Sequence, residues 1–176
     1  MPITPFHATA FLFLYFKDKR RVDPLALVIS TTFIDLEPLY YVILGDPLDH
    51  RIWHGFTLAL TIYPVLVTAA VYLMERLFEN RLRTIYKWAR FDPVRVRYPL
   101  RNIYLISIFG GFSHVFLDMF CHTHMLWVLY PFVYGNPFQM WQSSATVHVV
   151  AAILSIYSLI CWLKSAKKST PSVSLQ

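Results

Sequence analysis

The stretch Pro99–Cys121, PLRNIYLISIFGGFSHVFLDMFC, decides the fold class of this chain. It is apolar along most of its length, and it reaches the roughly 20 residues that a helix needs to cross a bilayer. Comparable apolar stretches occur on both sides of it, and short blocks of charged residues separate them. The sequence therefore predicts an all-α fold, a polytopic membrane helical bundle with four to five membrane-embedded helices.

The composition places the whole chain in the same class. Of its 176 residues, 56% are hydrophobic and only 15% are charged, which is unlike a soluble globular domain. The length is sufficient for one compact helical domain, residues 1–164, and leaves no room for a second. The Ser-rich end of the chain, residues 165–176, is expected to be a flexible cytoplasmic tail.

Five apolar stretches supply the predicted helices. They are Pro2–Phe16, Pro24–Leu44, Arg51–Leu77, Pro99–Cys121 and Ser143–Leu163. The first is short and reaches only about 22 Å, so it spans a thin membrane or enters part-way. A further apolar segment, Met125–Tyr134, is too short to span and is rich in Trp and Tyr, which favours a position at the membrane interface.

The basic residues predict the orientation of the bundle. All but one of the 16 Lys and Arg residues follow the first stretch, connect the third to the fourth, or follow the fifth. Alternate crossings put these three groups on one side, which the positive-inside rule identifies as cytoplasmic. We therefore expect a protein of the cell membrane with its N-terminus outside and its C-terminus in the cytoplasm. The net charge of +6 then reflects topology and attraction to anionic lipid, and it does not indicate a nucleic-acid partner.

Ionisable side chains gather in the outer halves of the predicted helices. All seven histidines fall there, together with three carboxylates. Ionisable groups inside a membrane are energetically costly, so several of them at one depth indicate a functional site. The candidate metal ligands are His7, Asp35, Glu37, His50, His54, His114, Asp118 and His122.

The spacing of these residues supports metal ligation. His50 and His54 are four residues apart, so they would lie on one helical face. His114 and Asp118 have the same spacing, and His122 continues their stripe. Imidazole together with carboxylate suits zinc, with manganese or iron as alternatives, and the set is large enough for one or two ions.

The segment Asp35-Leu36-Glu37-Pro38 contains two of the candidate carboxylates. On a regular helix Asp35 and Glu37 would point apart. Pro38 disfavours helical geometry at Glu37 and leaves one backbone carbonyl without its donor. We therefore expect a local break in the helix there, which would let both carboxylates face the interior of the bundle.

Three residues near the predicted site are left open between ligation and packing. A single histidine in an apolar helix is more often a hydrogen-bonded packing residue than a metal ligand. For His124 and His148 both interpretations are kept. Cys121, which stands beside His122, is a further candidate ligand.

Four segments of the chain, taken in order, resemble a known group of proteins. They are MPITPFH at Met1–His7, DLEP at Asp35–Pro38, HRIWHG at His50–Gly55 and GGFSHVFLD at Gly110–Asp118. Over roughly Met1–His124, this ordered set is similar to the small membrane-bound metal-dependent hydrolases of bacteria and archaea. That group includes the YdjM-like inner-membrane proteins and related families of unknown function. The His-x-x-x-Asp piece also looks like the motif of zinc-dependent phospholipase C, in which such residues hold a zinc cluster.

The resemblance and the predicted ligands together imply hydrolytic chemistry at the non-cytoplasmic face. A metal held by histidine and carboxylate can activate water and polarise a phosphoryl oxygen. The site would lie at the depth of the lipid headgroups. The expected substrate is therefore a lipid-like phosphoester, or another amphiphile, that enters from the surrounding membrane lipids.

Two residues, Glu37 and Arg51, are candidates for a direct role in catalysis. Arg51 is the one basic residue on the outer side, and two predicted ligands flank it in the sequence. Its guanidinium could donate two parallel hydrogen bonds to a phosphate and stabilise charge in the transition state. The alternative, which is also kept, is that Arg51 pairs with Asp46 or Asp49 at the rim or extends to the headgroups.

Two non-enzymatic functions compete with hydrolysis. Histidines on neighbouring helices could be the axial ligands of a haem, although a haem would not need carboxylates beside them. The chain could also be a metal-ion transporter or a bundle held together by a structural metal. A transporter needs a polar path to the cytoplasm, and the inner halves of the predicted helices carry almost no ionisable residue. The sequence therefore favours the hydrolase.

Overall fold

The structure is a computed structural model that describes residues 4–46, 50–91, 95–122, 125–138 and 144–168. Within these ranges all regular secondary structure is helical, which agrees with the predicted all-α class. The α-helices are α1 (Thr4–Ala10), α2 (Phe13–Lys17), α3 (Pro24–Thr32), α4 (Leu36–Ile43), α5 (Phe56–Leu60), α6 (Ile62–Leu77), α7 (Glu79–Trp88), α8 (Leu100–Asp118) and α9 (Ser144–Lys168). Two 3-10 turns, Phe33–Asp35 and Ile52–His54, precede α4 and α5.

Three helical stretches in the described part of the chain are long and apolar enough to cross a membrane. They are Pro24–Ile43, Leu100–Asp118 and Ser144–Lys167. The other two predicted helices are interrupted. The first apolar stretch contains two short helices, α1 and α2. The third contains the second 3-10 turn followed by α5 and α6. The fold is therefore an all-helical bundle that is compatible with a membrane and contains three long apolar elements.

Prolines account for two of the interruptions. A proline inside a helix has no N–H to donate, and its ring presses against the carbonyl group four residues earlier. Pro38 and Pro64 would have this effect at Ile34 and Leu60, where the helices tighten or end. The predicted break in the second stretch therefore lies earlier than expected, in the 3-10 turn Phe33–Asp35. Pro38 itself lies in the first turn of α4, where its missing N–H costs little.

Helix α8 lies at the centre of the bundle, and α3, α5 and α6 pack around it. Gly110 approaches Ser30 of α3 so closely that a Cβ on residue 110 would overlap the serine side chain and lie 2.9 Å from its carbonyl carbon. A Cβ on Gly111 would lie 2.7 Å from the carbonyl oxygen of Ala59 in α5. The two glycines thus permit the close helix contacts that hold α8 between α3 and α5.

The first two helices pack against α9. The amide of Phe13 donates to Ser158 Oγ at 2.9 Å, which satisfies a backbone group where the helix is interrupted between α1 and α2. The predicted interfacial segment Met125–Tyr134 forms turns along most of its length. The carbonyl oxygen of Val128 accepts from the amide of Phe56 at 2.9 Å, so this segment contacts the start of α5.

The three groups of basic residues lie at one end of the bundle, which we call the basic end. Lys19 Nζ donates to Ser165 Oγ at 2.8 Å, which joins the first group to the third. Asn102 Nδ2 donates to the carbonyl oxygen of Arg21 at 2.9 Å, which joins the first group to the start of α8. The common side that the charge pattern predicts for these groups is therefore present as a common end of the structure.

A short helix that the sequence did not predict, α7, lies at the basic end. It has ten residues and is rich in charge, so the sequence indicated only a basic connection between two apolar stretches. Its Leu82 and Tyr86 are buried in a small hydrophobic cluster with Val96, and Leu25 and Phe91 pack against that cluster. Helix α7 is thereby docked on the end of the bundle.

Candidate metal centre

A cluster of predicted ligands lies at the end of the bundle opposite the basic end. Its members come from α1, the first 3-10 turn, the segment before α5, α8 and the residues that follow α8. Three of them, in α8 and in the second 3-10 turn, each expose only 1% of their surface. The members are His7, Asp35, His50, His54, His114, Asp118 and His122.

Asp118 lies at the centre of this cluster. Its Oδ2 is 3.1 Å from Nε2 of His114 and 3.9 Å from Nε2 of His54. Its Oδ1 is 3.6 Å from Nε2 of His7 and 4.0 Å from Nε2 of His122. The two oxygens of one buried carboxylate therefore face two separate pairs of imidazoles.

The cluster contains two overlapping groups with the spacing of metal ligands. The first group is Asp35, His54, His114 and Asp118, and the second is His50, Asp118 and His122. Within each group, one ligand atom per residue lies within 4.8 Å of the others. Asp118 belongs to both groups, so the cluster could hold two cations with this carboxylate as their common ligand.

Two of the histidines are oriented by contacts outside the cluster. Nδ1 of His114 donates to the carbonyl oxygen of Thr31 at 2.8 Å, and Nδ1 of His54 donates to Oε2 of Glu37 at 2.8 Å. Because a carbonyl and an ionised carboxylate can only accept, Nδ1 carries the proton, and in the neutral form of each ring the lone pair of Nε2 faces the cluster. Metal-ligating histidines are typically held in this way.

Several polar atoms of the cluster are buried with no hydrogen-bond partner among the described residues. They are Nδ1 and Nε2 of His7, Nε2 of His54 and of His114, Oδ2 of Asp35 and Oδ1 of Asp118. Each unsatisfied buried polar group costs about 1–3 kcal/mol. A cation between the imidazole lone pairs and the carboxylates would satisfy most of these atoms, so the donor set fits a metal.

Glu37 contacts the cluster through His54 and is not itself among the grouped ligands. Its carboxylate accepts hydrogen bonds from the backbone amides of Arg51 and Trp53, each at 3.1 Å, in addition to the bond from His54. These contacts hold the segment before α5 against α4. In this structure Glu37 therefore supports the His54 ring and belongs to neither ligand group.

The rings of His50 and His54, in the segment before α5, lie against each other, but not because the two residues share a face of a helix. Ile52–His54 forms a 3-10 turn, and His50 and Arg51 precede it in non-helical backbone. The prediction that His50 and His54 share a helical face is therefore wrong. Their rings nevertheless lie 4.6 Å apart, and the His50 ring is 4.4 Å from that of His122.

A family profile described as "Domain of unknown function (DUF4184)" matches residues 1–174. The chain belongs to the DUF4184 family. The matched residues include both ligand groups and the three long apolar elements, so the cluster is part of the DUF4184 domain itself. No curated protein and no solved structure matches the chain.

Arg51 of the DUF4184 chain contacts one acidic and one aromatic side chain. Its guanidinium bonds to the carboxylate of Asp46 and lies over the ring of Tyr41, 4.0 Å from the ring centroid. Of the two interpretations of Arg51, the pairing with Asp46 is therefore present in the structure. Asp49 and His124, which the sequence also singled out, lie outside the described residues.

Two contacts in this DUF4184 structure had no signal in the sequence. Thr31 acts through its backbone carbonyl, which no side-chain pattern reveals. Asn136 Nδ2 donates to the carbonyl oxygens of Met119 and His122 at 2.8 and 3.2 Å, and so fixes the chain that follows α8. An asparagine before a proline indicates a turn but not its partner. His148, by contrast, bonds to Ser144 within α9.

An apolar groove with a volume of about 540 Å³ lies beside Glu37 of the DUF4184 domain. Its walls come from α3, α4, α6 and the two 3-10 turns. They include Phe33, Ile34, Tyr40, Trp53 and Leu66. Small-molecule sites have volumes of about 300–1,000 Å³, so the groove is large enough for part of a ligand. It places apolar surface next to a residue that supports the cluster.

Proposed function

We propose that this chain is an integral membrane metal-dependent hydrolase that cleaves a lipid-like phosphoester at the non-cytoplasmic face of the cell membrane. The observation that carries the proposal is the cluster around Asp118, in which two ligand groups share one buried carboxylate. Paired metal sites are used by enzymes that cleave phosphoesters. Zinc is the favoured metal, manganese and iron are the alternatives, and one or two ions are bound.

The resemblance to the YdjM-like hydrolases supports the same proposal. The four segments that carry the resemblance are far apart in the chain, yet each supplies a member of the cluster or its support. These members are His7, then Asp35 and Glu37, then His50 and His54, and finally His114 and Asp118. Convergence of separate motif segments on one place is typical of a functional site.

The chain provides a distinct role for each part of the site. A divalent metal, when bound, supplies Lewis-acid chemistry and makes a water nucleophile available at neutral pH. The imidazoles and Asp118 would hold the ions, and Glu37 keeps the ring of His54 oriented. Arg51 would turn from Asp46 towards a substrate phosphate and stabilise its charge. The groove beside Glu37 would receive the hydrocarbon part of the substrate, which accounts for an amphiphilic ligand.

We also propose that the membrane-embedded helices number four to five, with the N-terminus outside and the C-terminus in the cytoplasm. The basic end supports this orientation, because basic residues accumulate on the cytoplasmic side. In a variant without Cys121 and Cys161, we expect Trp88→Cys in α7 to resist an impermeant thiol reagent in intact cells. Tyr134→Cys is the control and should react. Both positions are exposed. Labelling of Trp88→Cys without labelling of Tyr134→Cys would show that the orientation is the opposite of the one proposed.

Arg51→Lys is expected to lower kcat/KM by about 10- to 100-fold and to leave the bound metal unchanged. A lysine keeps the charge but not the planar pair of donors that binds a phosphate, which corresponds to about 1.4–2.8 kcal/mol of barrier. The assay uses a panel of lipid and isoprenoid phosphoesters in detergent with zinc or manganese. Asp46→Asn removes the partner of Arg51 and should retain activity within a few-fold. Full activity of Arg51→Lys would place Arg51 outside the catalytic site.

A further inference from the structure

Two carboxylates are buried at the basic end, away from the metal cluster. Asp23, just before α3, exposes none of its surface, and Glu75, near the end of α6, exposes 1%. In each carboxylate, one oxygen accepts a hydrogen bond from a backbone amide. Oδ1 of Asp23 accepts from Leu25 at 2.9 Å, and Oε2 of Glu75 accepts from Tyr98 at 3.0 Å. The remaining oxygens, Oδ2 of Asp23 and Oε1 of Glu75, receive no hydrogen from any donor among the described residues.

The two carboxylates lie within hydrogen-bonding distance of each other. Two ionised carboxylates could not bond in this way, because both can only accept. The hydroxyl of Tyr86 in α7 is buried near both carboxylates, and it too has no partner in the described part of the chain. A proton on either carboxylate would supply the missing donor and join Oδ2 of Asp23 to Oε1 of Glu75.

The surroundings favour one shared proton over two negative charges. Burial raises the pKa of Asp23 to about 6, and two adjacent buried carboxylates disfavour the state in which both are ionised. Burial also raises the pKa of Tyr86 and of Tyr98 above the ordinary value of a phenol, so both remain neutral. The guanidinium of Arg76 lies over the ring of Tyr72. Among the described residues, the titratable and charged side chains around the pair include Tyr15, Arg76, Tyr86, Arg95 and Tyr98.

We propose that Asp23 and Glu75 form a proton-binding site in which one proton bridges the two carboxylates and holds α7 against the bundle. The site joins the start of α3, the end of α6 and the chain before α8, and it meets the hydrophobic cluster of α7 at Tyr86. With the proton bound, the pair carries one negative charge. Without it, the pair carries two, and a second unpaired charge is costly in a buried position. Release of the proton therefore loosens α7. This site is independent of the proposed hydrolase.

The full-length protein in detergent tests this site through the variant Glu75→Gln. The glutamine carbonyl can accept from Tyr98 and its amide group can donate to Asp23, so it imitates the protonated pair at every pH. A carboxyl pKa that is raised by folding makes the protein less stable as the pH rises through that pKa. The shared proton leaves at the higher of the pair's two pKa values, which lies above the pKa of about 6 of Asp23. We therefore expect the wild-type Tm to fall by roughly 5 °C between about pH 6 and about pH 9. The Tm of E75Q should stay level over the same range.

Two further variants distinguish a shared proton from a general effect of pH on the bundle. Asp23→Asn can still cap α3 through Oδ1 and should also remove the pH slope, while Glu79→Gln, on the outside of α7, should keep it. Infrared spectra of the wild type should contain the C=O stretch of a protonated carboxylic acid, and Glu75→Gln should lack that band. Equal pH slopes in all four proteins, or no such band in the wild type, would overturn the proposal. A Tm that rises with added Mg²⁺ or Ca²⁺ in the wild type alone would also overturn it, because a cation would then bridge the pair.

Discussion

Asp118→Asn is expected to lose almost all bound metal and all measurable hydrolysis. Asparagine keeps the shape of the side chain but loses its charge and one of its two ligand oxygens. Because Asp118 belongs to both ligand groups, a single substitution weakens both. Loss of a contact that merely supports a metal ligand costs about 10- to 100-fold in affinity, so the shared ligand should cost more than about 100-fold. Elemental analysis of protein purified without a His-tag measures the metal, and competition with a chelator measures its affinity.

Two other variants serve as comparisons for Asp118→Asn, one with an intermediate loss of metal affinity and one with none. Glu37→Gln acts on the cluster through His54 and through the segment before α5, whose amides at Arg51 and Trp53 bond to Glu37. It should weaken metal binding by about 10- to 100-fold. His148→Ala is the control, because His148 bonds within α9, and it should keep the wild-type metal content. A full complement of metal in Asp118→Asn would exclude the shared-ligand arrangement. A wild-type protein that takes up no zinc, manganese or iron would remove the hydrolase proposal.

Gly110→Ala is expected to destabilise the bundle by about 1–3 kcal/mol and to reduce its metal content. Alanine in place of glycine inside a helix ordinarily stabilises by roughly 0.5–1 kcal/mol, so the sign of the effect is itself informative. The added Cβ would overlap Ser30 and lie 2.9 Å from its carbonyl carbon, so α3 must move away from α8. Thr31, the next residue of α3, bonds to His114 through its carbonyl oxygen, so this movement also disturbs a proposed metal ligand.

Thermal unfolding in detergent and elemental analysis together measure these two effects. The double variant Ser30→Gly/Gly110→Ala lacks the side chain that would overlap, so part of the lost stability should return. Phe112→Ala changes the exposed side of the same helix and should retain the metal. A Gly110→Ala protein with wild-type stability and metal content would show that the fold does not depend on the close contact between α3 and α8.

The long helices could be predicted from the sequence because the bilayer fixes the length of a spanning segment. Helices α8 and α9 differ from the predicted Pro99–Cys121 and Ser143–Leu163 by only a few residues at their ends. The interrupted stretches were harder to predict. A proline acts on the carbonyl group four residues before it, and the sequence does not reveal whether the helix bends, tightens or ends there. Apolarity alone therefore predicted one helix in Arg51–Leu77, where the structure has several.

The members of the histidine and carboxylate cluster could be predicted because ionisable groups in apolar helices are rare and costly. The contacts that orient them could not, because Thr31 acts through its backbone and the chain around His50 has no regular period. Asp23 and Glu75 gave no signal either. Both stand where an apolar stretch meets basic residues, a position in which a carboxylate is ordinarily solvated, and only the packing of α7 buries them.

The cluster draws its ligands from a wide span of the chain, from His7 in α1 to His122 beyond α8. During synthesis the N-terminal segments leave the ribosome first, so α1 and α3 are made before α8. His7 and Asp35 therefore lack their partners, His114 and Asp118, until α8 lies against α3. In the proposed metal-dependent protein, metal loading would consequently be a late step of biogenesis, and the ion would fix the relative positions of helices that are already in place.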